Sequence, residues 1–187
     1  MTLNFKRFQN IKSTNDEAIK LIKKDFTKPT LILTKKQTKG RGTMGKKWIS
    51  KKGNIFLSIF FEFNPKKINF RQYAILNAYL IKKILKKYSL KSISIKWPND
   101  LLIEKRKVCG ILQEVIQHKN KDFLIIGVGI NTYSSPKNIS FRSSCLRDYS
   151  KKKVDNKEIL KDIKKYYEKF IHDTHKYKFD LLKKKVK

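Results

Sequence analysis

Residues 39–47 read Lys-Gly-Arg-Gly-Thr-Met-Gly-Lys-Lys and concentrate the residue types that handle anions. Gly40, Gly42 and Gly45 let backbone N–H groups come close to a charged group, and Arg41 can fork onto a carboxylate or a phosphate. The letters almost spell two phosphate-binding patterns. Gly40 with Gly45-Lys46 has P-loop spacing, but Lys47 stands where that motif needs a hydroxyl for magnesium. The three glycines also fit G-x-G-x-x-G. Both motifs need a helix to begin at the loop, because the phosphate rests on a helix N-terminus. Here the chain runs from Lys47 through Trp48 and Gly53 into a strand-like stretch. A kinase loop fails too, since no H-R-D or D-F-G element follows. A plain surface turn is the competing reading, and three glycines around an arginine exceed what a turn requires.

A second cluster is Lys96-Trp97-Pro98-Asn99-Asp100. Pro98 disfavours helix and sets the polar residues on a tight connection. Beyond it, Lys105-Arg106-Lys107-Val108-Cys109-Gly110 opens a strand. Lys107 there can point an ammonium into a pocket, and Gly110 leaves room for a ligand beside the backbone. Against this, a single lysine among 40 reads as a solvated residue, and Asp100 alone reads equally as a turn former. The third segment, Gly127-Val128-Gly129-Ile130-Asn131, carries two glycines at alternate positions. They floor a flat cavity or mark a bulge.

The elements that must position these clusters follow from periodicity. A helix starts near residues 13–14, where Thr14 and Glu17 have capping-box spacing and Ala18, Leu21 and Ile22 share a face. Residues 30–37 and 54–63 read as strands. Helical spacing of apolar residues predicts a long helix over 69–88 and another over 155–171. Strands are expected at 92–97, 100–104, 107–117 and 123–129, with turns at 104–106 and 118–122. Hairpins with non-alternating helices predict an α+β fold, a mixed β-sheet flanked by helices. No repeat or linker divides the chain, so one domain over 1–187 is expected.

The formal net charge of +31 comes from 46 Lys and Arg against 15 Asp and Glu, and 40 of the 46 cations are lysine. A dedicated nucleic-acid binder mixes in arginine for bidentate readout. Lysine is instead spread evenly, beside abundant Ile, Asn and Phe, the profile of an A+T-rich genome. No specific nucleic-acid partner is expected, while acidic protein partners are favoured. The apolar runs are too short to span a bilayer and the N-terminus has no signal-peptide core, so no membrane partner and a cytoplasmic location are expected. Cys109 and Cys145 form neither a zinc site nor a disulfide framework.

Taken in order, the clusters resemble the catalytic domain of biotin–protein ligases. The matching pieces are Ser13-Thr14-Asn15, Gln37 with Gly40-Arg41-Gly42, Trp48, Lys96-Trp97-Pro98-Asn99-Asp100, Arg106-Lys107 with Gly110, and Gly127 to Asn131. Ser143-Ser144-Cys145-Leu146 looks like a variant of the family's Ala-Thr-Ser-Leu element. The resemblance implies a fold like the catalytic core of class II aminoacyl-tRNA synthetases. It implies that biotin and ATP are substrates, that Mg²⁺ assists, and that the acceptor is a lysine of the biotin carboxyl carrier protein of acetyl-CoA carboxylase. Ser13, Thr14, Gln37, Gly40, Arg41, Gly42, Lys107, Gly110 and Gly127 would line the biotin and adenylate site. Trp48, Lys96, Asn99 and Asn131 would serve ATP. Lys107, Arg41 and Asp100 would be catalytic, with Asp100 also the candidate Mg²⁺ ligand.

Two departures qualify the match. The family loop commonly carries arginines where Thr43 and Lys46 stand, so no arginine role passes to position 43. The resemblance also covers a catalytic domain alone, with neither an N-terminal DNA-binding domain nor a C-terminal β-barrel expected. A lipoate ligase or octanoyl transferase relative, a degenerate ligase that only binds, and a non-catalytic basic nucleic-acid-binding domain are the alternatives. A monomer and a homodimer both stay open.

Overall fold

The computed structural model describes residues 2–137 and 141–187. Its described elements are β1 (Asn4–Ile11), α1 (Thr14–Lys23), β2 (Thr30–Gln37), β3 (Ile55–Phe63), α2 (Phe70–Lys86), β4 (Ile93–Lys96), β5 (Asp100–Ile103), β6 (Arg106–His118), β7 (Lys121–Ile130), α3 (Asn156–Lys176) and α4 (Phe179–Val186). Short 3₁₀ turns lie at Thr43–Gly45 and Leu146–Tyr149. The seven strands form one sheet in the order β1-β2-β3-β7-β6-β5-β4. Only β1 and β2 run parallel, joined through α1; every other pair is antiparallel. This is the mixed sheet flanked by helices that the α+β reading expected.

Local signals set most boundaries. Asn69 caps α2 in a reciprocal box with Gln72, each side chain bonding the other's backbone. Asp155 caps α3 by accepting from the Lys157 N–H. The hairpins at 104–106 and 118–122 turn through residues at positive φ, Glu104 and Lys105 in one, Lys119 and Asn120 in the other. That handedness suits the right-handed twist of the flanking strands. At α1 the cap falls one residue earlier than expected: Ser13 accepts from the Asp16 N–H. Thr14 is thereby the first helical residue, free to bond elsewhere. Strand β1 and helix α4 were not anticipated. β1 is the sheet edge with its side chains mostly exposed, so it lacks the apolar alternation of a half-buried strand.

The two faces of the sheet are used differently. On one, α2, α3 and α4 bury Leu57, Ile59, Phe61, Ile126 and Val128 against Leu76, Ile81, Ile84, Tyr167 and Leu182. On the other, α1 alone packs Ala18 and Ile22 onto Ile32, Phe60, Phe123 and Ile125. Along β7 the α1-side residues run Phe123, Ile125, Gly127, Gly129, so that face changes from apolar to bare within one strand. Among the described residues no helix is long and apolar enough to cross a membrane.

Phe60 is fully buried beneath α1. Phe60→Ala is expected to destabilise the chain by about 3–5 kcal/mol, against within about 0.5 kcal/mol for the exposed Val115→Ala. Urea unfolding followed by circular dichroism measures both.

Candidate active site

The bare half of the α1-side face becomes a cleft because the first turn of α1 and the glycine loop overhang it. It is open to solvent and lined by residues from α1, the loop, β6, β7 and the 97–100 turn. At one end the Thr14 N–H and hydroxyl both donate to Gln37 Oε1, at 2.9 and 3.2 Å, and Gln37 Nε2 donates to Ser50 Oγ at 3.2 Å. Beside them Asn15 is buried. Its Oδ1 accepts from Ser58 Oγ at 2.5 Å and its Nδ2 donates to Glu114 Oε2 at 2.6 Å. Any side chain on Gly127 would overlap the Asn15 amide, which is why that position is glycine.

The loop closes on itself as a narrow hairpin. Gly42 N–H donates to Lys46 O at 2.7 Å, Lys46 N–H to Thr43 O at 3.1 Å and Trp48 N–H to Gly40 O at 2.9 Å. These amides are therefore internally satisfied, and Met44 stands at the tip, 93% exposed. Gly40 lies buried behind the lining, where a Cβ would come within 2.5 Å of Trp48 O. Arg41 does not point an unpaired guanidinium at the cleft. It makes two parallel hydrogen bonds to Glu114, both 2.8 Å, and a third contact to Asp16 at 2.9 Å. Partial burial works against its charge, but the bonds and attraction from Glu114 and Asp16 outweigh this and raise its pKa further.

Trp48 lies across the glycine floor. Gly110 and Gly129 are direct cross-strand partners, and a Cβ on Gly110 would come within 2.6 Å of the indole. A side chain on Gly129 would overlap the ring outright. The buried indole Nε1 has no hydrogen-bond partner among the described residues. Lys107 Nζ sits 5.4 Å from the Trp48 ring centre and 5.1 Å from that of Phe141, and pairs with Asp100 Oδ1 at 2.7 Å. Past the indole, a smaller recess is lined by Trp48, Ile49, Lys107, Asn131 and Phe141. Asn131 donates to Ser144 O at 3.2 Å, while its buried Oδ1 has no partner among the described residues.

Of the residues expected at the site, Ser13, Thr14, Gln37, Arg41, Gly42, Trp48, Asn99, Lys107, Gly110 and Gly127 line the main cleft. Asn131 lines the recess, and Asp100 stands behind Lys107. Asn99 stitches the 97–100 turn to both neighbours, donating to Ile111 O at 3.2 Å and Thr43 Oγ1 at 3.4 Å. Lys96 is exposed on β4 and outside the lining. Glu114, Asp16, Ser58 and Phe141 went unassigned in the sequence. For Glu114 a signal existed, since it continues the alternation of Gly110 and Leu112 along β6. Among the described residues no three His, Cys, Asp or Glu side chains converge as a metal cage, and Asp100 is engaged by Lys107. Both cysteines are buried and free, and burial pushes their thiols up, Cys109 the further, so neither is a reactive thiolate.

Comparison with known proteins fits this geometry. The family model described as the biotin/lipoate A/B protein ligase family matches residues 7–131. The bifunctional ligase/repressor BirA of Bacillus spizizenii is 31% identical over 173 residues, covering 88% of this chain and 53% of that protein. The Escherichia coli protein of the same name is 35% identical over 98 residues, covering 51% of this chain and 30% of its own length. This chain thus spans about half or less of these curated relatives. Among solved structures, the biotin protein ligase from Aquifex aeolicus in complex with biotin and ATP superposes with a TM-score of 0.79 at 30% identity, over 98% of this chain and 76% of that one.

If Trp48 rests on the floor because the floor is bare, Gly129→Ala must lift it. With Trp97 replaced by Phe, Trp48 is the only indole of the chain. The expected outcome is a red-shifted emission and stronger acrylamide quenching in Gly129→Ala. An unchanged spectrum would show that the indole does not lie there.

Proposed function

This chain belongs to the biotin/lipoate A/B protein ligase family, and we propose that it activates biotin with ATP and transfers it to a lysine of a carrier protein. The observation that carries this reading is the convergence in one cleft of the α1 N-terminal turn, the glycine floor, Lys107 and the recess holding Asn131. One carboxylate and one triphosphate must meet in such a site. A floor without side chains accommodates flat groups, and the unpartnered Asn131 carbonyl oxygen suits an exocyclic amine such as that of adenine.

In the first step a biotin carboxylate oxygen bonds to the α-phosphorus of ATP as the bond to the leaving oxygen breaks, releasing pyrophosphate. Two anions repel, and charge grows on the phosphate oxygens. Lys107, held 2.7 Å from Asp100 with its ammonium over the Trp48 ring, supplies a fixed cation there and needs no reorientation during reaction. In the second step the ε-amine of the acceptor lysine attacks the carbonyl carbon of the mixed anhydride. AMP leaves, the amide forms and the amine gives up a proton. Asp100 is the nearest carboxylate to Lys107 and the candidate base. Among the described residues no three candidate ligands converge, and Asp100 is paired with Lys107; we assign Mg²⁺ to the ATP phosphates as part of the substrate. Overhang by the loop and Trp48 shields the anhydride from water.

As the acceptor we propose the biotin carboxyl carrier protein of acetyl-CoA carboxylase, on the family resemblance of the sequence clusters. The net charge of +31 favours acidic protein surfaces generally.

Biotin-dependent exchange of pyrophosphate into ATP tests the activation step directly. Exchange with biotin and none with lipoate is expected; the reverse would move the reading to the lipoate side of the family. Lys107→Ala should lower exchange by on the order of 10²-fold. Lys164→Ala removes only an exposed helix pair with Glu168 and should stay within about twofold of the parent. Equal effects of the two would remove Lys107 from the mechanism.

A further inference from the structure

We infer that Glu114 is a positioning residue for the site: one carboxylate that holds both the glycine loop and the first turn of α1 in their working places. It sits on β6 two residues beyond Leu112 and four beyond Gly110, facing the cleft side of the sheet. Its Oε1 accepts from Arg41 Nη1 at 2.8 Å. Its Oε2 accepts from Arg41 Nη2 at 2.8 Å and from Asn15 Nδ2 at 2.6 Å. Three of the roughly four lone-pair positions of a carboxylate are thereby used. Asn15 passes the constraint on to β3 through Ser58. Four segments distant in sequence, the loop, α1, β3 and β6, thus meet through one side chain.

This arrangement changes what Arg41 does. One guanidinium charge faces two carboxylates, Glu114 and Asp16, so the cluster offers an incoming anion no net attraction. Arg41 acts here as the latch that ties the loop to β6 and α1, and the positive lining of the cleft falls to Lys107, with Lys46 and Lys47 on the loop. Loop order is set by the latch: a bidentate charged pair resists opening in a way that the loop's own three backbone bonds, in a hairpin with an exposed tip, do not. The effect on the reaction rests on the ligase reading given above; the effect on the loop does not.

Two measurements on the full chain separate these parts. The first is limited trypsin digestion without substrates, following cleavage after Lys46 and Lys47 by mass spectrometry. Glu114→Gln, which keeps the shape and loses the charge, and Arg41→Ala should each be cut at least about tenfold faster than the parent. Glu114→Asp should restore part of the protection. Unchanged cleavage overturns the inference. So does a fall in the urea midpoint that accounts for the faster cleavage, because Glu114 would then support the global fold and not the loop. The second is a double-mutant cycle in biotin-dependent exchange. Arg41→Ala should lower the exchange rate in the parent and have little further effect in Glu114→Ala. An equal loss in both backgrounds would mean that Arg41 acts on substrate independently of Glu114, and the latch would be wrong. Absence of exchange in the parent would count against the ligase reading alone, with the digestion still deciding the role of Glu114.

Discussion

The sheet face beneath α1 has to be apolar where the helix docks and empty where the cleft lies, and the rest of the site depends on how sharply that change is made. On β7 it takes two residues: Phe123 and Ile125 pack under α1, while Gly127 and Gly129 carry nothing. Gly110 on β6 extends the bare patch sideways as the direct partner of Gly129. Removing side chains from a sheet weakens it, since glycine contributes no packing and loses more entropy on ordering. The loss is tolerable because these glycines lie in the sheet interior, with β3 and β6 paired along the whole of β7. On the other face Ile126, Val128 and Ile130 remain fully packed.

Electrostatics follows the same economy of placement. The chain has three cations for every carboxylate, yet two of the cations that line the cleft are paired, Lys107 with Asp100 and Arg41 with Glu114 and Asp16. Pairing fixes direction. A free lysine on a flexible stem would sample many positions, whereas Lys107 is held by a carboxylate behind it and aromatic rings beside it. The positive excess sits on the surface, where it acts on encounter with a partner more than on chemistry.

Much of this was readable from residue types. The alternation of Gly127 with Gly129 allowed a floor or a bulge, the helical spacing of apolar residues from position 69 marked α2, and Gly40 to Gly45 marked the loop. What escaped depends on partners distant in the chain. Glu114 lies 73 positions from Arg41 and 99 from Asn15, and nothing local announces either contact. Arg41 read as an anion binder because its own chemistry says so; that two carboxylates satisfy it is a fact of tertiary structure. β1 was missed because an exposed edge strand does not need an apolar face, and Lys96 was grouped with Asn99 although β4 turns it to solvent.

The division between floor and loop also explains why Trp48 belongs to the loop. The floor is held by continuous cross-strand pairing and cannot move without breaking the sheet, whereas the loop is held by its own hairpin, by Gln37 and Ser50 at its base, and by the Arg41 contacts. Burying an indole N–H without a partner has a cost. Mounted on the loop, Trp48 covers Gly110 and Gly129 without any side chain rising from the sheet. The bare floor and the indole that lies on it are therefore one packing arrangement, since the ring fits there only because positions 110 and 129 carry no side chain.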